Sequence, residues 1–118
     1  MTNYSNLSDF EINKMVCDVF WPDFNKSSEC KNKTFPQNSS VVYVENGYGG
    51  FSRDYCNNPA DAWPIIVDNG ISLECIVVNR HEKTWRAQFK PAYVKHHAND
   101  KNPLRAAMIV FLMIQEKK

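Results

Sequence analysis

The sequence NPLRAAMIVFLMI, residues 102–114, decides the fold class. Asn102 followed by Pro103 is typical of a helix start, because Asn caps free amides and Pro has no amide hydrogen that needs a partner. The run from Ala106 to Ile114 is apolar on every side, which predicts a helix enclosed by other elements. Because a membrane span needs ~18 apolar residues or more, we predict a buried C-terminal helix and no membrane partner.

Two more helices are predicted upstream. Ser8 and Glu11 have the spacing of a capping box, and apolar residues then recur at helical intervals as far as Phe20. A second Asn-Pro pair, at residues 58 and 59, starts a helix that Gly70 ends. Pro64 lies inside this helix and predicts a kink or a division into two short helices.

The remaining regular structure is predicted to be antiparallel. Val41–Val44 reads as a strand stopped by a turn, and residues 48–51 as a loop. Ile71–Val78 and Thr84–Phe89 form a hairpin, whereas the polar segment from Asp23 to Ser40 is expected to be a long surface loop. We therefore predict an α+β fold in one domain over residues 1–118, with a small antiparallel sheet packed against about three helices.

Charge and cysteine content exclude several functions. The chain has 14 Lys and Arg against 13 Asp and Glu, so no strong positive field favours nucleic acid as a partner. Its four cysteines include no C-x-x-C pair, which argues against structural zinc and predicts reduced thiols, with Cys17 and Cys75 buried.

No catalytic motif is present in the sequence. His81, His96 and His97 are predicted to lie on surface loops, without a third metal ligand at a suitable spacing. The glycines at 47, 49 and 50 lack the Lys and Ser or Thr of a phosphate loop. We therefore expect neither an enzyme nor a bound cofactor.

The helix starts are the best candidates for binding an anion. Asn57, Asn58 and Asn102 precede exposed amides at the positive end of a helix dipole, although Asn58 and Asn102 can equally cap their own helices. Arg105 lies in the first turn of its helix, where positive charge is unfavourable. It therefore needs either an acidic partner such as Asp61 or an anionic ligand.

Aromatic residues near these helix starts could stack on a base. Trp63 and Trp85 are expected in the core first, where they could also line a cavity. The predicted ligand-binding set is Tyr48, Tyr55, Asn57, Asn58, Asp61, Trp63, Trp85, Asn102 and Arg105.

Three stretches, residues 7–13, 54–71 and 102–112, carry a family resemblance. Their sequences are LSDFEIN, DYCNNPADAWPII with the following NGI, and NPLRAAMIVFL. Together they resemble the NinX-like family of small bacteriophage proteins. The resemblance implies a phage or prophage product that acts inside a bacterium. With no signal-like N-terminus, the host cytoplasm is the expected location.

Three functions from different classes fit these observations. The leading hypothesis is a non-enzymatic, homo-oligomeric protein that sequesters a small anionic immune signal of the host, a nucleotide or cyclic nucleotide, and so counters antiphage defence. The second is an interaction protein that binds a host or phage protein through the 23–40 loop and surface aromatic residues. The third is an accessory of phage DNA metabolism or recombination, which the near-neutral charge disfavours.

Overall fold

The computed structural model describes residues 3–28, 40–91 and 95–116. A short 3-10 helix, Tyr4–Asn6, precedes three α-helices and six strands in the described part of the chain. In chain order these are α1 (Asp9–Phe20), β1 (Asn25–Ser28), β2 (Val42–Glu45), β3 (Gly50–Arg53), α2 (Pro59–Asn69), β4 (Ser72–Asn79), β5 (Glu82–Phe89), β6 (His96–Asp100) and α3 (Pro103–Glu116). The predicted α+β class is confirmed.

The strands form two antiparallel sheets of three strands, in the orders β1-β2-β3 and β4-β5-β6. The sequence predicted the β4–β5 hairpin correctly, but it missed β1, β3 and β6 and predicted one small sheet where there are two. β1 has the polar sequence NKSS and lies in the segment predicted as a loop, while β3 follows directly from a glycine-rich turn. Both strands are short and exist because their backbones pair with β2, which no side-chain pattern reveals.

Helix α3 lies at the centre of the core. All residues from Ala106 to Leu112 are buried, together with Ile114, so the prediction of an enclosed C-terminal helix is confirmed. The helix packs on β5 and β6, where Ala87 and Ala98 present small buried side chains to the core, and it also contacts α1 and α2. Small residues on the sheet let a helix that is bulky on every side approach closely.

Helix α1 begins with the predicted capping box. The Glu11 amide donates to Ser8 Oγ at 3.1 Å, and the Ser8 amide donates to Glu11 Oε1 at 3.1 Å. The pKa of the Glu11 carboxyl lies below its usual value, mainly because of the hydrogen bond from the Ser8 backbone amide and, to a smaller extent, that with the Ser8 side chain. The amides of Ser8 and Glu11, which have no partner within the helix, are therefore satisfied by local side chains.

Helix α2 runs unbroken from Pro59 to Asn69, so it is not divided into two short helices at Pro64. Pro64 and Ala60 are both exposed, and water can therefore satisfy the Ala60 carbonyl that loses its helical partner. Gly70, at φ +64°, ends the helix in the left-handed conformation, as predicted.

Four side chains lie in environments that differ from the sequence expectation. Trp63 was expected in the core, but it is 58% exposed on the outer face of α2. Cys75 is exposed on β4, whereas Cys17 is buried as predicted. His96 and His97 belong to β6 and not to a loop, because their backbones pair with Phe89 and Gln88.

No helix within the described residues is long and apolar enough to cross a membrane. The described ranges also contain no group of three or more His, Cys, Asp or Glu side chains arranged to hold a metal ion.

Candidate functional site

Arg105, the predicted anion-binding residue, is held by the protein itself. Its Nη1 donates to Asp9 Oδ1 at 2.6 Å and its Nε donates to Asp100 Oδ2 at 3.0 Å. Its Nη2 donates to the carbonyls of Ser5 and Leu7, at 3.2 and 2.7 Å. Arg105 did need an acidic partner, but the suggested partner Asp61 was wrong.

The charge state of Arg105 is fixed by these contacts. Burial acts to lower its pKa, but the hydrogen bond and charge of Asp9 and the charge of Asp100 outweigh burial and raise the pKa above its usual value. Its side chain is only 11% exposed. An anionic ligand would therefore have to displace two carboxylates to reach it.

Both Asn-Pro helix starts are capped by their own asparagines. Asn58 Oδ1 accepts a hydrogen bond from the Ala60 amide at 3.0 Å. Asn102 Oδ1 accepts from the amides of Leu104 and Arg105, at 2.9 and 3.3 Å. Asn58 and Asn102 therefore act as caps of their own helices, and the amides that they bind are not available to a phosphate.

Asn13, a residue that sequence reasoning missed, lies at the centre of the same polar region. It is fully buried on α1; its Nδ2 donates to the Ser40 carbonyl at 2.9 Å and to Asp54 Oδ1 at 2.8 Å. Its Oδ1 accepts from the Cys56 amide at 3.0 Å. The signal available in the sequence was an amide side chain next to Ile12 on the buried side of the helix.

We call this region the polar junction, and it joins α1, the 54–57 segment and the start of α3. Asn57 Nδ2 donates to Asp9 Oδ2 at 3.1 Å, and Asn102 Nδ2 donates to the Cys56 carbonyl at 2.7 Å. Its members are Asp9, Asn13, Ser40, Asp54, Asn57, Asp100, Asn102 and Arg105. Within the described part of the chain, no buried side-chain nitrogen or oxygen lacks a hydrogen-bond partner.

A separate cleft of about 570 Å³ opens between the end of α1, β3, α2 and α3. Two residues of the predicted set, Tyr55 and Asp61, line this cleft. Three others lie elsewhere: Tyr48 is 99% exposed at the tip of the β2–β3 hairpin, Trp63 is exposed on α2, and Trp85 is half-buried on β5. The volume lies in the range of clefts that hold small organic ligands.

Arg53 is the one basic residue among the described residues that line the cleft. Its guanidinium carbon lies 4.5 Å from the ring centre of Phe51 and 5.6 Å from that of Trp21, which are cation–π distances. Its Nη1 donates to the Ser52 carbonyl at 2.9 Å. The rings hold the guanidinium in place and leave several of its five donors for other partners.

The carboxylate beside Arg53 binds it only loosely. Arg53 Nε and Asp61 Oδ1 are 4.0 Å apart, beyond hydrogen-bond length, while Asp61 Oδ2 accepts from the Asp54 amide at 2.9 Å. The Arg53 side chain is 33% exposed, three times the fraction of Arg105. Of these two arginines, Arg53 is therefore the one that a ligand can reach.

The sequence of the chain matches a known protein family over almost its whole length. The family model described as bacteriophage P22 NinX matches residues 3–115, nearly the whole chain. The chain belongs to the NinX family. No curated protein matches this NinX chain, and no solved structure matches it either.

The three stretches that carried the NinX resemblance all meet at the polar junction. Residues 7–13 contribute Asp9 and Asn13, residues 54–71 contribute Asp54 and Asn57, and residues 102–112 contribute Arg105 together with the Asn102 cap. The long, unusual sequence blocks of this NinX chain therefore build its fold, because they bring together groups separated by as many as 98 positions.

Apolar and aromatic side chains form the wall of the NinX cleft. The rings of Phe20 and Phe111 stack at 5.6 Å with an interplanar angle of 2°, and Phe20 is 45% exposed. Trp21 packs edge-on against Phe51 at 4.7 Å. Lys26 of β1 donates to the Trp21 carbonyl and pairs with Asp18 at 2.6 Å, which fixes the end of α1 where these rings lie.

Tyr55, which lines the cleft, and its buried neighbour Cys17 are both held neutral. Tyr55 is 3% exposed, and burial, followed by the neighbouring Cys17, raises its pKa well above the usual value. Burial likewise raises the pKa of the Cys17 thiol to about 11. At neutral pH this thiol is protonated and buried, which is the opposite of an activated nucleophile.

Proposed function

We propose that this NinX-family protein is a non-enzymatic binding protein that holds a small ring-bearing anion in the Arg53 cleft. The proposed ligand is a nucleotide-type immune signal of the host, which the protein sequesters in the host cytoplasm during infection. The observation that carries the proposal is the Arg53 guanidinium, which lies against two aromatic rings in the cleft lining and is separated from its nearest carboxylate by 4.0 Å, beyond hydrogen-bond length.

The charge of Arg53 supports an anionic group in the ligand. A phosphate at this point would form short charge-assisted hydrogen bonds with donors that Asp61 does not occupy. Because the guanidinium already lies against Phe51 and Trp21, little side-chain entropy is lost when it binds. Arg53 therefore takes the place that the sequence analysis assigned to Arg105.

The rest of the lining supports a ring with amino groups. Phe20, Trp21 and Pro64 offer flat or apolar surfaces for stacking. Asp61 and Asp68 also line the cleft, and carboxylates accept hydrogen bonds from the amino groups of a base. With one basic and two acidic residues in the lining, a ligand with a single phosphate charge is favoured over a triphosphate.

The absence of turnover is part of the same proposal. The Tyr55 phenol in the cleft lining and the neighbouring Cys17 thiol are both protonated at neutral pH, and no histidine is among the described residues that line the cleft. A protein that acts by sequestration needs affinity and a sufficient number of copies, and it needs neither a nucleophile nor a general base.

The test is isothermal titration calorimetry with a panel of nucleoside monophosphates, cyclic nucleotides and triphosphates. We expect binding of a monophosphate or cyclic nucleotide that weakens at least about tenfold in Arg53→Ala, with part of the affinity retained in Arg53→Lys. Arg86→Ala is the matched control, because Arg86 lies on β5 outside the cleft and binds Asn99. No binding by any of these ligands, or equal loss in both alanine variants, contradicts the proposal.

A second candidate function, binding of a host or phage protein, is favoured by a different observation. Trp63 and Val67 lie one helical turn apart on α2 and are 58% and 56% exposed. Exposed aromatic side chains of this kind often anchor protein interfaces. Co-purification of one host polypeptide with the wild type, lost in Trp63→Ala and kept in Arg53→Ala, would favour this function over ligand sequestration.

A further inference from the structure

Strand β4 is a free edge of the second sheet. It pairs with β5 on one side, and no other strand among the described residues pairs with its second side. Val77 and Val78 are 71% and 58% exposed, and Glu74 and Cys75 are exposed as well. An exposed, eight-residue edge with adjacent branched apolar residues is a template for pairing with another strand.

We propose that a second copy of this chain pairs with this edge, antiparallel to it and centred on Val77. In this arrangement Val77 lies opposite Val77 of the second copy, and the bulge that follows Val77 ends the regular pairing. Glu74 then lies near Arg80 of the second copy, which is in the turn just after β4, and the two-fold symmetry repeats this approach of opposite charges at the other end. The two β4–β5–β6 sheets become one six-stranded sheet.

The sequence of the β4 edge favours pairing with a second copy of the same strand. Glu74 lies near the start of β4, three branched apolar residues follow at 76–78, and Arg80 lies in the turn after the strand. The apolar segment is therefore flanked by a negative charge on one side and a positive charge on the other. An antiparallel copy inverts this order and brings each charge to its opposite. Centring the pair on Cys75 or Ile76 instead would place Glu74 against Ile76 or Val78 of the second copy, and would leave Arg86, opposite Glu74 on β5 of its own chain, as its cationic neighbour.

The contact is expected to be reversible. A β-bulge lies between Val77 and Asn79, and bulges increase the local twist of an edge and limit the length of pairing. The association should therefore depend on protein concentration. Because none of these β4 residues lines the Arg53 cleft, the inference does not depend on the proposed function.

The first test is a charge exchange followed by sedimentation velocity over a wide concentration range. We expect a monomer–dimer equilibrium in the wild type and a dissociation constant about tenfold higher or more in Glu74→Arg and in Arg80→Glu. The double variant should recover the wild-type value, because both charge pairs are restored with reversed sign. Glu45→Arg and Lys14→Glu, exposed positions on β2 and α1, are the matched controls and should leave the equilibrium unchanged.

The second test examines the register directly. With Cys30 and Cys75 replaced by Ser, Val77→Cys should form a disulfide-linked dimer on mild oxidation, because directly opposed residues lie about 4.5–5.5 Å apart between Cα atoms. Val67→Cys, which is 56% exposed but lies on α2, should not. A wild type that stays monomeric, a dimer insensitive to the charge exchange, or cross-linking at residue 67 and not at 77 overturns the proposal.

Discussion

Replacing Arg105 with alanine should destabilise the fold strongly, although this residue looks like a ligand-binding arginine in the sequence. The guanidinium makes hydrogen bonds to two carboxylates and two carbonyls, and its side chain is 11% exposed. A hydrogen bond to a charged group contributes about 1.5–3 kcal/mol. Because Asp9 and Asp100 are 34% and 22% exposed, solvent screening reduces that value, and we expect a total loss of about 3 kcal/mol in the free energy of unfolding.

The assay is urea unfolding followed by circular dichroism, with the midpoint and the slope compared between variants. Arg105→Ala should lower the midpoint at an unchanged slope and lower the melting temperature by about 10 °C. Arg53→Ala and Arg86→Ala should each lose less than about 1 kcal/mol, because their guanidinium groups make fewer hydrogen bonds. A stability of Arg105→Ala equal to that of Arg53→Ala would refute the assignment of Arg105 to the fold.

Three further predictions concern the buried amide of Asn13, the exposed carboxylate of Glu11, and the exposed and buried thiols of Cys75 and Cys17. Asn13→Ala should lower the free energy of unfolding by about 3 kcal/mol in the same urea assay, because it leaves the Cys56 amide and other buried groups without partners. The pKa of Glu11 in the folded state lies below its usual value of 4.5, so its contribution to stability is fully present above pH 4.5 and is lost as the pH falls through the lowered pKa; Glu11→Gln should flatten the acid limb of a pH–stability curve. With a thiol reagent at neutral pH, Cys75→Ser should remove one fast-reacting thiol, whereas Cys17→Ala should remove none.

The elements that sequence reasoning predicted correctly are those with local causes. The Ser8–Glu11 capping box, the Gly70 helix end and the apolar run of α3 each depend on neighbours a few positions away. The β4–β5 hairpin is equally local, since its two strands are joined by a short turn. Alternating or helical patterns over such distances are directly visible in a sequence.

Several of the errors concern contacts between residues far apart in the chain. The acid that binds Arg105 at its Nη1 is Asp9, 96 positions away, and no local pattern distinguishes it from Asp61. Arg53 was missed because it becomes a candidate only when Trp21 and Asp61 are brought beside it by the packing of α1 and α2. β1 was missed because backbone pairing alone creates it.

The central claim is that the Arg53 cleft holds a small ligand in infected cells. Native mass spectrometry of the wild type, Arg53→Ala and Arg86→Ala, each purified from phage-infected cells with an active nucleotide-signalling defence, tests it most directly. We predict that the wild type and Arg86→Ala carry a nucleotide-type molecule released on denaturation, and that Arg53→Ala carries none. A ligand-free wild type, or a ligand retained in Arg53→Ala, would contradict the account.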